Sequence, residues 1–515
     1  MSQSLISALR SGRFFDHSED LQVHETPASW VVLAGEHAYK IRKPVDNDAF
    51  EASGPARRRR ACEREVRRRR RFAEDLDCRV VPITATPEAP VIDGESEAFE
   101  YAICMRRIDD RQLFSNLNAR GELTSSLIDN LVDQLVELHR GAARAAPDVE
   151  YGACVRAMGR QQLDRLRPFL DQREDIRRLE ELSLQSEELG ERLAPLFDRR
   201  LAEGRVVEVH GGPDLDHVAA DGVRAVVFGE GADESCEFRD ACDDLTALLM
   251  DLEARQAHAE ARQALNRYLE RSGDYALVTL LPWYRIQRAM AAAESALREA
   301  SSESAERDAA LRAFRHYAGL AERYGEINIP WLLIGVGVTG SGKSRFTEQV
   351  VRSLGALRIR SDVERKRFYG LAVDDAPPSH PEAAFYGEKS TQATYERLAT
   401  LAGKLLSSGY PVCVDATSLG RAQRDRLRLE AQKRGLAALL ISFEADEKTL
   451  EARVSRRSLK RNSTPEAGLA VLKRQIAARE AFDADELAWM IRLDTTAEGA
   501  NLKLVSLIRE RLRLH

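Results

Sequence analysis

Residues 326–515 predict an α/β fold with a parallel sheet, and residues 1–325 predict an α+β domain. In the second part, short apolar runs alternate with segments of helical spacing, which is the pattern of βα units whose sheet is covered on both faces. In the first part, a few short strands come first and helices follow. A glycine-rich phosphate-binding motif stands between the first apolar run and the first helix of the second part.

The composition excludes several classes of protein. Apolar residues make up 43% and charged residues 31% of the 515 residues, as expected for a chain with a core. The net charge of −6 excludes a basic surface over the whole molecule, although local basic patches stay open. No apolar run reaches the roughly 18 residues of a membrane helix, and no signal peptide is recognised. The seven scattered cysteines form no CxxC pair, so no disulfide framework or zinc site is expected. We expect a cytoplasmic protein.

The first part is expected to contain a strand-rich lobe over about 1–106 and a helical lobe over about 107–325. Residues 29–33 and 37–41 have the spacing of a hairpin with a short glycine-containing turn. Further strands are expected at residues 79–83, 91–92, 99–106, 205–210 and 224–228. Helices are expected at about 56–75, 124–145, 155–203 and 241–325.

The second part is expected to carry its phosphate-binding loop directly after its first strand. Strands are expected at residues 331–336, 356–360, 412–415, 437–443 and 489–493. The loop reads Gly337-Val338-Thr339-Gly340-Ser341-Gly342-Lys343-Ser344, which fits GxxxxGK[ST] without a gap. Glycines let backbone amides point at phosphate oxygens, and the following helix N-terminus adds positive charge. The alternative is a glycine-rich turn that binds nothing.

This loop predicts ATP and Mg²⁺ as cofactors. The candidate nucleotide-binding residues are Gly337, Thr339, Gly340, Ser341, Gly342, Lys343 and Ser344. Lys343 is expected to reach the β- and γ-phosphates, and the Ser344 hydroxyl is expected to bind Mg²⁺. Asp415 ends an apolar strand and is the second candidate ligand of the metal, through water. The alternative for Asp415 is a cap of the following helix.

An aspartate after the second strand is the candidate base. Asp362 follows the strand at 356–360, and Arg365 faces the same way if a helix begins there. An aspartate here can accept the proton of an attacking hydroxyl, while nearby arginines hold an anionic substrate. The alternative is that Asp362 caps a basic surface helix.

A basic helix is the candidate lid, at about residues 453–466. Arg453 and Arg457 are four positions apart, so both project from one face of the helix. Phosphoryl transfer requires cations over the γ-phosphate, and a closing lid supplies them while it excludes water. The alternative is a solvated basic helix.

Residues 331–515 resemble the small P-loop kinases, which include gluconate kinase, polynucleotide 5′-hydroxyl kinase and the zeta-type toxins. The resemblance rests on GVTGSGKS, RSDVERKR, VCVDAT and LEARVSRR as they stand in this chain. It implies a five-stranded parallel sheet. Polynucleotide kinases carry an Asp-x-x-Arg motif after the second strand, and Asp362 and Arg365 match its spacing. The resemblance therefore also implies that Asp362 is the base and that Arg365 binds a phosphate of the substrate.

Residues 1–325 resemble the aminoglycoside phosphotransferase and choline kinase branch of the protein-kinase-like fold. The resemblance rests on HAYKI with Lys40, on Glu65 as its partner, on the hinge-like strand EYAICM and on the loop VHGGPDLDHV. Three groups of the family's chemistry are missing. Gly212 stands in the place of the catalytic Asp, His217 in that of the metal-binding Asn, and Gly229 in that of the second metal-binding Asp.

This first domain is therefore expected to be a degenerate kinase frame that regulates the second domain or recruits its substrate. Asp214 or Asp216 would replace the missing base only after a shift of the loop. The whole chain resembles bacterial two-domain proteins labelled bifunctional aminoglycoside phosphotransferase/ATP-binding protein, a label that is not itself an activity.

An arginine-rich segment is the candidate contact for RNA or phosphate. Residues 57–71 contain ten arginines in fifteen positions. The alternative is a solvated helix face, and no interleaved aromatic residues indicate base stacking.

Together these features predict an ATP-dependent phosphotransferase that acts on a hydroxyl acceptor of unknown class through its second domain. The expected catalytic residues are Lys343, Asp362, Arg365, Arg453 and Arg457, and Arg453 is also expected to contact the nucleotide. Two other hypotheses stay open: a kinase of nucleic-acid 5′-hydroxyl ends or another RNA-binding kinase, and an ATPase switch that phosphorylates no acceptor.

Overall fold

The computed structural model divides the chain into two compact units. It describes residues 2–11, 21–25, 29–43, 54–72, 77–147, 150–228, 238–300, 304–326, 329–375, 385–460 and 465–514. The first unit comprises Met1–Ala257 and Leu280–Gly325, and the second comprises His258–Thr279 and Glu326–His515. The sequence predicts one boundary near residue 325. The structure differs from that prediction because residues 258–279 belong to the second unit, where their buried polar side chains form hydrogen bonds with residues after 326.

The first unit begins with a six-stranded antiparallel sheet in the order β1-β2-β3-β6-β4-β5. Its strands are β1 (Gln22–Glu25), β2 (Ser29–Ala34), β3 (His37–Arg42), β4 (Cys78–Thr86), β5 (Ala89–Ile92) and β6 (Glu100–Arg106). The predicted hairpin is confirmed as the β2–β3 pair. Alternate residues of β2 point to opposite faces. One face packs on α1 (Ser2–Arg10), and the other packs on α2 (Pro55–Phe72).

Helices form most of the remainder of the first unit. They are α3 (Phe114–Ala119), α4 (Ser125–Gly141), α5 (Tyr151–Asp164), α6 (Arg173–Ala202), α7 (Ala241–Ala254), α9 (Leu281–Glu299) and α10 (Ser304–Tyr324). The helix between α7 and α9, α8 (His258–Ser272), belongs to the second unit. Two short antiparallel pairs join β7 (Val206–Glu208) to β10 (Phe238–Asp240) and β8 (Val218–Asp221) to β9 (Arg224–Val227).

The long helices expected at 155–203 and 241–325 are corrected to shorter ones. Gly273 has a φ of +72° just after α8, and Pro282 stands in the first turn of α9, so the chain stops and restarts between them. Helical periodicity alone runs across such breaks, because the residues on both sides of each break keep apolar spacing.

The second unit has the predicted α/β fold with a five-stranded parallel sheet in the order β12-β13-β11-β14-β15. Its strands are β11 (Leu332–Val336), β12 (Leu357–Arg360), β13 (Val412–Asp415), β14 (Ala438–Glu444) and β15 (Met490–Asp494). Its further helices are α11 (Lys343–Leu354), α12 (Ser361–Phe368), α13 (Glu388–Ser407), α14 (Arg421–Gln432), α15 (Glu447–Lys460), α16 (Pro465–Ala477), α17 (Ala484–Ala488) and α18 (Ala500–Leu512).

Helices cover both faces of this sheet. On one face, α11 and α18 bury Phe346, Val350 and Leu504 against strand residues such as Leu333 and Ile441. On the other face, α13 and α14 pack on β13 and β11. None of the helices in the described ranges is long and apolar enough to cross a bilayer.

The parallel order brings three predicted site segments to one edge. Because β12, β13 and β11 are neighbours and run in the same direction, their carboxyl ends share one side of the sheet. The phosphate loop follows β11, Asp362 follows β12, and Asp415 ends β13. Ligands of open parallel sheets bind in the crevice outside the carboxyl ends of the strands.

Candidate active site

The loop at 337–344 has the backbone shape of a phosphate cradle. Gly337, Gly340 and Gly342 have φ values of +156°, +81° and +91°, in the region that side chains disfavour. A Cβ at Gly340 would lie 3.0 Å from the carbonyl oxygen of Leu450. The loop ends at the N-terminus of the twelve-residue helix α11, where Gly342 is the N-cap and forms no side-chain cap; a helix N-terminus favours an anion. The glycines therefore serve the curl of the loop.

Lys343 lies folded over this loop. Its Nζ donates hydrogen bonds to the carbonyl oxygens of Gly337 at 2.8 Å and Val338 at 3.0 Å. The ammonium group therefore sits above the cradle, where an anionic phosphate would compete for it with neutral carbonyls. Thr339 N–H donates to the side-chain Oε1 of Gln475, on α16, at 2.6 Å. Sequence reasoning did not identify Gln475.

The strand-end carboxylate Asp415 is buried next to the start of α11. Thr347 Oγ1 donates to Asp415 Oδ2 at 3.4 Å, while Ser344 stands exposed at the second position of the helix. Asp415 does not cap the following helix, because α14 begins at Arg421 with Gly420 as its N-cap. The capping alternative is therefore wrong.

Ser344 and Asp415 fit a magnesium ion that also binds nucleotide phosphates. The described residues contain no group of three or more His, Cys, Asp or Glu side chains that could hold a metal ion by themselves. Mg²⁺ needs no such group, since it commonly takes one or two protein oxygens and completes its shell with phosphates and water. Their roles as ligands stay predictions.

Asp362 lies in the first turn of α12 and is half exposed, with 49% of its side chain accessible. The N-cap of α12 is Arg360, so Asp362 is not the cap that the alternative proposed. Its Oδ2 accepts a hydrogen bond from Arg360 Nη2 at 2.9 Å. The side chain is thus accessible to an acceptor and held by an arginine that sequence reasoning missed.

Arg365 is a half-buried cation whose hydrogen bonds go to neutral groups. Its Nη1 donates to the carbonyl oxygen of Phe385 at 2.8 Å, and both Nη groups lie 3.4 Å from Thr391 Oγ1. Its guanidinium lies 5.4 Å from the centroid of the Tyr386 ring. Within the described ranges it forms no ion pair with a carboxylate, and burial lowers its pKa. An anionic group would supply the missing counter-charge.

Arg453 lies directly beside the phosphate loop. Its Nη1 donates to the carbonyl oxygen of Gly340 at 3.3 Å and to Thr495 Oγ1 at 3.0 Å. It too forms no ion pair with a carboxylate in the part of the chain that the structure describes. Both Arg453 and Arg457 belong to α15, as predicted, but the side chain of Arg457 and residues 461–464 of the expected lid lie outside the described residues.

A network from α8 was missed by the sequence analysis. Glu270 accepts from Arg358 Nε at 2.8 Å and lies 3.5 Å from Arg360 Nη1, and Arg358 Nη1 also donates to the carbonyl oxygen of Ser344 at 3.1 Å. Burial disfavours the positive charge of Arg358, but the Glu270 carboxylate stabilises that charge and raises the pKa of Arg358. The available signal was three polar residues, Gln263, Asn266 and Glu270, at helical spacing on a face that proves buried.

The kinase-like lysine of the first unit is paired as the resemblance implies. Lys40 Nζ donates to Glu65 Oε1 at 2.9 Å, and both side chains are buried. Glu65 also binds Arg42 at 2.9 Å and Arg69 at 2.6 Å. Burial alone would raise the pKa of Glu65, but the three cations lower it well below its usual range.

The loop that resembles a kinase catalytic loop has no room for an aspartate at position 212. Gly212 has a φ of +97°, and a Cβ there would overlap the Cβ of Ala247 on α7. The two candidate substitutes are occupied: Asp214 Oδ1 lies 2.8 Å from His217 Nδ1, and Asp216 forms an ion pair with Arg255. Gly229 lies outside the described residues. That this loop is catalytically degenerate stays a prediction.

The arginine-rich helix α2 uses part of its charge inside the first unit. Arg58, Arg59 and Arg69 form ion pairs with Glu100, Glu63 and Glu65, at 2.8, 2.8 and 2.6 Å. Arg57, Arg60, Arg67 and Arg70 are exposed. A contact with RNA or phosphate through this helix stays a prediction.

Comparison with known proteins adds similarities to both parts of the chain. The sequence profile described as "AAA domain" matches residues 332–482. Uncharacterized proteins of Mycobacterium tuberculosis and Mycobacterium bovis are 28% identical over 404 residues, which is 77% of this chain and 78% of theirs.

Two solved structures resemble different parts of the chain. A gluconokinase from Sinorhizobium meliloti is 22% identical over 36% of this chain and 91% of its own, with a TM-score of 0.25. A choline/ethanolamine kinase family protein from Mesorhizobium loti is 12% identical over 62% of this chain and 99% of its own, with a TM-score of 0.37. The strand order and loop geometry described above carry the fold assignment.

Proposed function

We propose that the protein is an ATP-dependent phosphotransferase whose active site lies in the second unit. One observation carries the proposal: a glycine-curled phosphate loop with Lys343 follows β11 and an accessible carboxylate, Asp362, follows β12, and these two strands flank β13 with their carboxyl ends at the same edge of the parallel sheet. A phosphate cradle alone fits any nucleotide-binding protein. A carboxylate next to half-buried arginines adds a place for an acceptor and for its proton.

The loop would hold the nucleotide. Amides at the start of α11 and the Lys343 ammonium would bind the β- and γ-phosphates, in place of the loop carbonyls that Lys343 now contacts. Ser344 and Asp415 would hold Mg²⁺, which when bound neutralises phosphate charge. The predicted residues Gly337, Thr339, Gly340, Ser341 and Gly342 contribute the curl of the loop and its amides.

The acceptor would enter beside Asp362. Its hydroxyl oxygen attacks the γ-phosphorus, its proton passes to the Asp362 carboxylate, and ADP leaves. Arg365, which is half buried and bonded to neutral groups, would bind an anionic group of the acceptor. The proposed acceptor is therefore a hydroxyl compound that carries a negative charge.

The arginines of α15 would neutralise the transferred group. Arg453 already contacts the loop carbonyl of Gly340 and has no carboxylate partner among the described residues, so its charge is available to the phosphates. Arg457 stands one turn further along the same helix. Cations over the γ-phosphate stabilise the charge of the transition state.

The first unit would regulate this reaction or recruit its substrate, without transferring phosphate itself. Gly212 leaves no carboxylate in the place of the base, and Asp214 and Asp216 are engaged in ion pairs. A cytoplasmic location and a phosphate or RNA contact through α2 are further parts of the proposal.

The test is transfer of label from γ-labelled ATP to a cell extract separated into small molecules, RNA and protein. We expect one fraction to take up label with the wild-type chain and to lose it with Asp362→Asn. ATP hydrolysis without a labelled acceptor, unchanged in Asp362→Asn, would contradict the proposal and favour an ATPase switch. Label in the RNA fraction would identify a nucleic-acid kinase.

A further inference from the structure

Helix α8 completes the edge of the sheet that carries Asp362. Strand β12 is the outermost strand, so one side of its backbone has no neighbouring strand. The Asn266 side chain takes that place: its Nδ2 donates to the carbonyl oxygen of Ala356 at 3.2 Å, and its Oδ1 accepts from Arg358 N–H at 2.6 Å. These two hydrogen bonds fix α8 against β12, the strand that precedes the candidate base Asp362.

Glu270 stands one turn beyond Asn266 on the same face of α8 and is only 4% exposed. It accepts from Arg358 Nε at 2.8 Å and lies 3.5 Å from Arg360 Nη1. Its backbone carbonyl oxygen also accepts from Arg367 Nη2, on α12, at 2.6 Å. Glu270 therefore touches both arginines of β12 and the helix that bears Asp362.

Two connections lead from Glu270 to the proposed chemistry. Arg360 lies between two carboxylates, Glu270 at 3.5 Å and Asp362 at 2.9 Å. Both carboxylates stabilise its charge and raise the pKa of Arg360, against the effect of burial. Arg358 connects Glu270 to the carbonyl oxygen of Ser344, at the start of the phosphate-loop helix.

The shared arginine has a consequence for Asp362. An arginine within hydrogen-bond distance lowers the pKa of a carboxylate by about 1–3 units when that arginine has no second carboxylate partner. The second carboxylate at Arg360 weakens that effect, and its own negative charge disfavours ionisation of Asp362. Arg365, on the same helix, also interacts electrostatically with Asp362. Glu270 therefore acts on Asp362 through its share of Arg360, in addition to that second cation.

We propose that Glu270 is a positioning residue of the phosphotransferase site, which divides the charge of Arg360 so that Asp362 remains a proton acceptor. This inference rests on the proposed function. It also gives the inserted segment 258–279 a role in the active site of the second unit. Glu270 acts through Arg360 and Arg358 and does not contact the substrate.

The test compares Glu270→Gln with two matched variants of the full chain. Glu270→Gln keeps the shape and removes the charge. Glu270→Asp keeps the charge with a shorter reach. Glu260→Gln removes a charge from the same helix, where Glu260 pairs with Arg352 at 2.8 Å and has no contact with β12 among the described residues. Thermal unfolding verifies that each variant is folded.

The first measurement needs no acceptor. Carboxyl-¹³C labelling of aspartates, with Asp362→Asn to assign the signal, gives the pKa of Asp362 by NMR titration. We expect Glu270→Gln to lower this pKa by about one unit, Glu270→Asp to keep it within a few tenths, and Glu260→Gln to leave it unchanged. An unchanged pKa in Glu270→Gln would overturn the inference, as would an equal shift in Glu270→Asp.

The second measurement is the pH profile of kcat/KM. The rate rises as Asp362 loses its proton, so a lower pKa moves the acid limb of Glu270→Gln to lower pH by the same amount. The plateau should fall up to about tenfold, because a weaker base accepts the proton less readily. If the wild-type chain transfers phosphate but the acid limb of Glu270→Gln is not shifted, the inference about Glu270 is overturned and the proposed function is not. Absence of transfer by the wild-type chain would overturn the proposed function and, with it, the catalytic role of Glu270.

Discussion

Two arginines of the second unit differ from their neighbours in what they contact. Arg358, Arg360 and Arg367 each bind a carboxylate, whereas Arg365 and Arg453 bind carbonyl and hydroxyl oxygens within the described residues. A partly buried guanidinium without a carboxylate loses solvation and gains little in return. Such side chains are suited to a ligand that brings the negative charge with it.

The base assignment predicts the effect of Asp362→Asn. The amide keeps the size of the side chain and cannot accept a proton, so phosphoryl transfer should fall by roughly 10²-fold or more while ATP affinity is kept. Turnover and nucleotide binding are measured on the same preparation. Asp425→Asn, which removes a carboxylate paired with Arg421 on the surface of α14, is the control. An equal loss of ATP binding would identify Asp362 as a metal or structural residue instead.

The acceptor assignment predicts a selective effect of Arg365→Gln. Because Arg365 contacts no carboxylate among the described residues, its loss breaks no internal ion pair, and the KM for the acceptor should rise about tenfold or more while the KM for ATP changes little. Initial rates, measured while the concentration of each substrate is varied in turn, give the two KM values that test this prediction. A larger effect on the KM for ATP would place Arg365 at the nucleotide.

Sequence reasoning reached the residues that stand in contiguous motifs. Lys343, Asp362 and Arg453 could be placed because each lies in or just after a strand or helix that its own neighbours predict. Glu270 and Arg360 were missed, because their importance arises from a contact across 90 positions of the chain. Short-range patterns contain no information about such pairs.

At the scale of elements, α8 acts as the lateral cover of the parallel sheet. Besides Asn266 at the edge of β12, Arg262 donates to the carbonyl oxygens of Arg352 and Ser353 at 3.0 and 3.1 Å, at the C-terminal end of α11. Exposed strand edges and helix ends carry unpaired backbone groups, and these side chains satisfy them.

This arrangement predicts the effect of Asn266→Ala on stability. The substitution leaves Ala356 C=O and Arg358 N–H unpaired in a buried place, which should lower the free energy of unfolding by about 2–4 kcal/mol. Urea unfolding of the second unit is the measurement. Asn501→Ala is the control, since the Asn501 side chain forms no hydrogen bond among the described residues. A loss no larger than that of the control would show that the edge of β12 does not depend on α8.

The five strands of the second unit were predicted to within a residue or two, because apolar runs and turn residues define them locally. In the first unit, β1, β8 and β10 were not predicted, since these strands of three or four residues are too short to carry a clear apolar run. The assignment of α8 could not be predicted in the same way. The segment 241–325 has nearly continuous helical periodicity, and which unit a helix joins depends on the partners of its buried face. The buried polar residues of α8 find those partners only in the folded second unit.

At the scale of the whole molecule, the two units carry different features of the kinase that we propose. The first retains the buried Lys40–Glu65 pair but has a loop in which Gly212 is tightly packed. The second has the phosphate cradle and a candidate base. The inserted segment 258–279 means that cleavage at residue 325 would remove part of the second unit, so the units are best tested within the full chain.

The packing at Gly212 predicts that the missing carboxylate cannot simply be restored. Gly212→Asp puts a Cβ onto Ala247 at a positive φ, so it should destabilise the first unit by about 1–3 kcal/mol. In a chain that also carries Lys343→Ala, it should restore no transfer. Urea unfolding and label transfer are the two measurements. Transfer in the double variant would contradict the assignment of a degenerate loop.

The central claim is that phosphoryl transfer depends on the second unit alone for its chemistry, and one comparison tests it most directly. Label transfer from γ-labelled ATP is measured for the full-length wild-type chain, Lys343→Ala and Lys40→Ala, after thermal unfolding has shown that all three are folded. The account predicts that Lys343→Ala abolishes transfer and weakens ATP binding, because the cation of the cradle is gone, and that Lys40→Ala keeps most of the transfer activity. Near-normal turnover in Lys343→Ala, together with loss of transfer in Lys40→Ala, would contradict it and place the active site in the first unit.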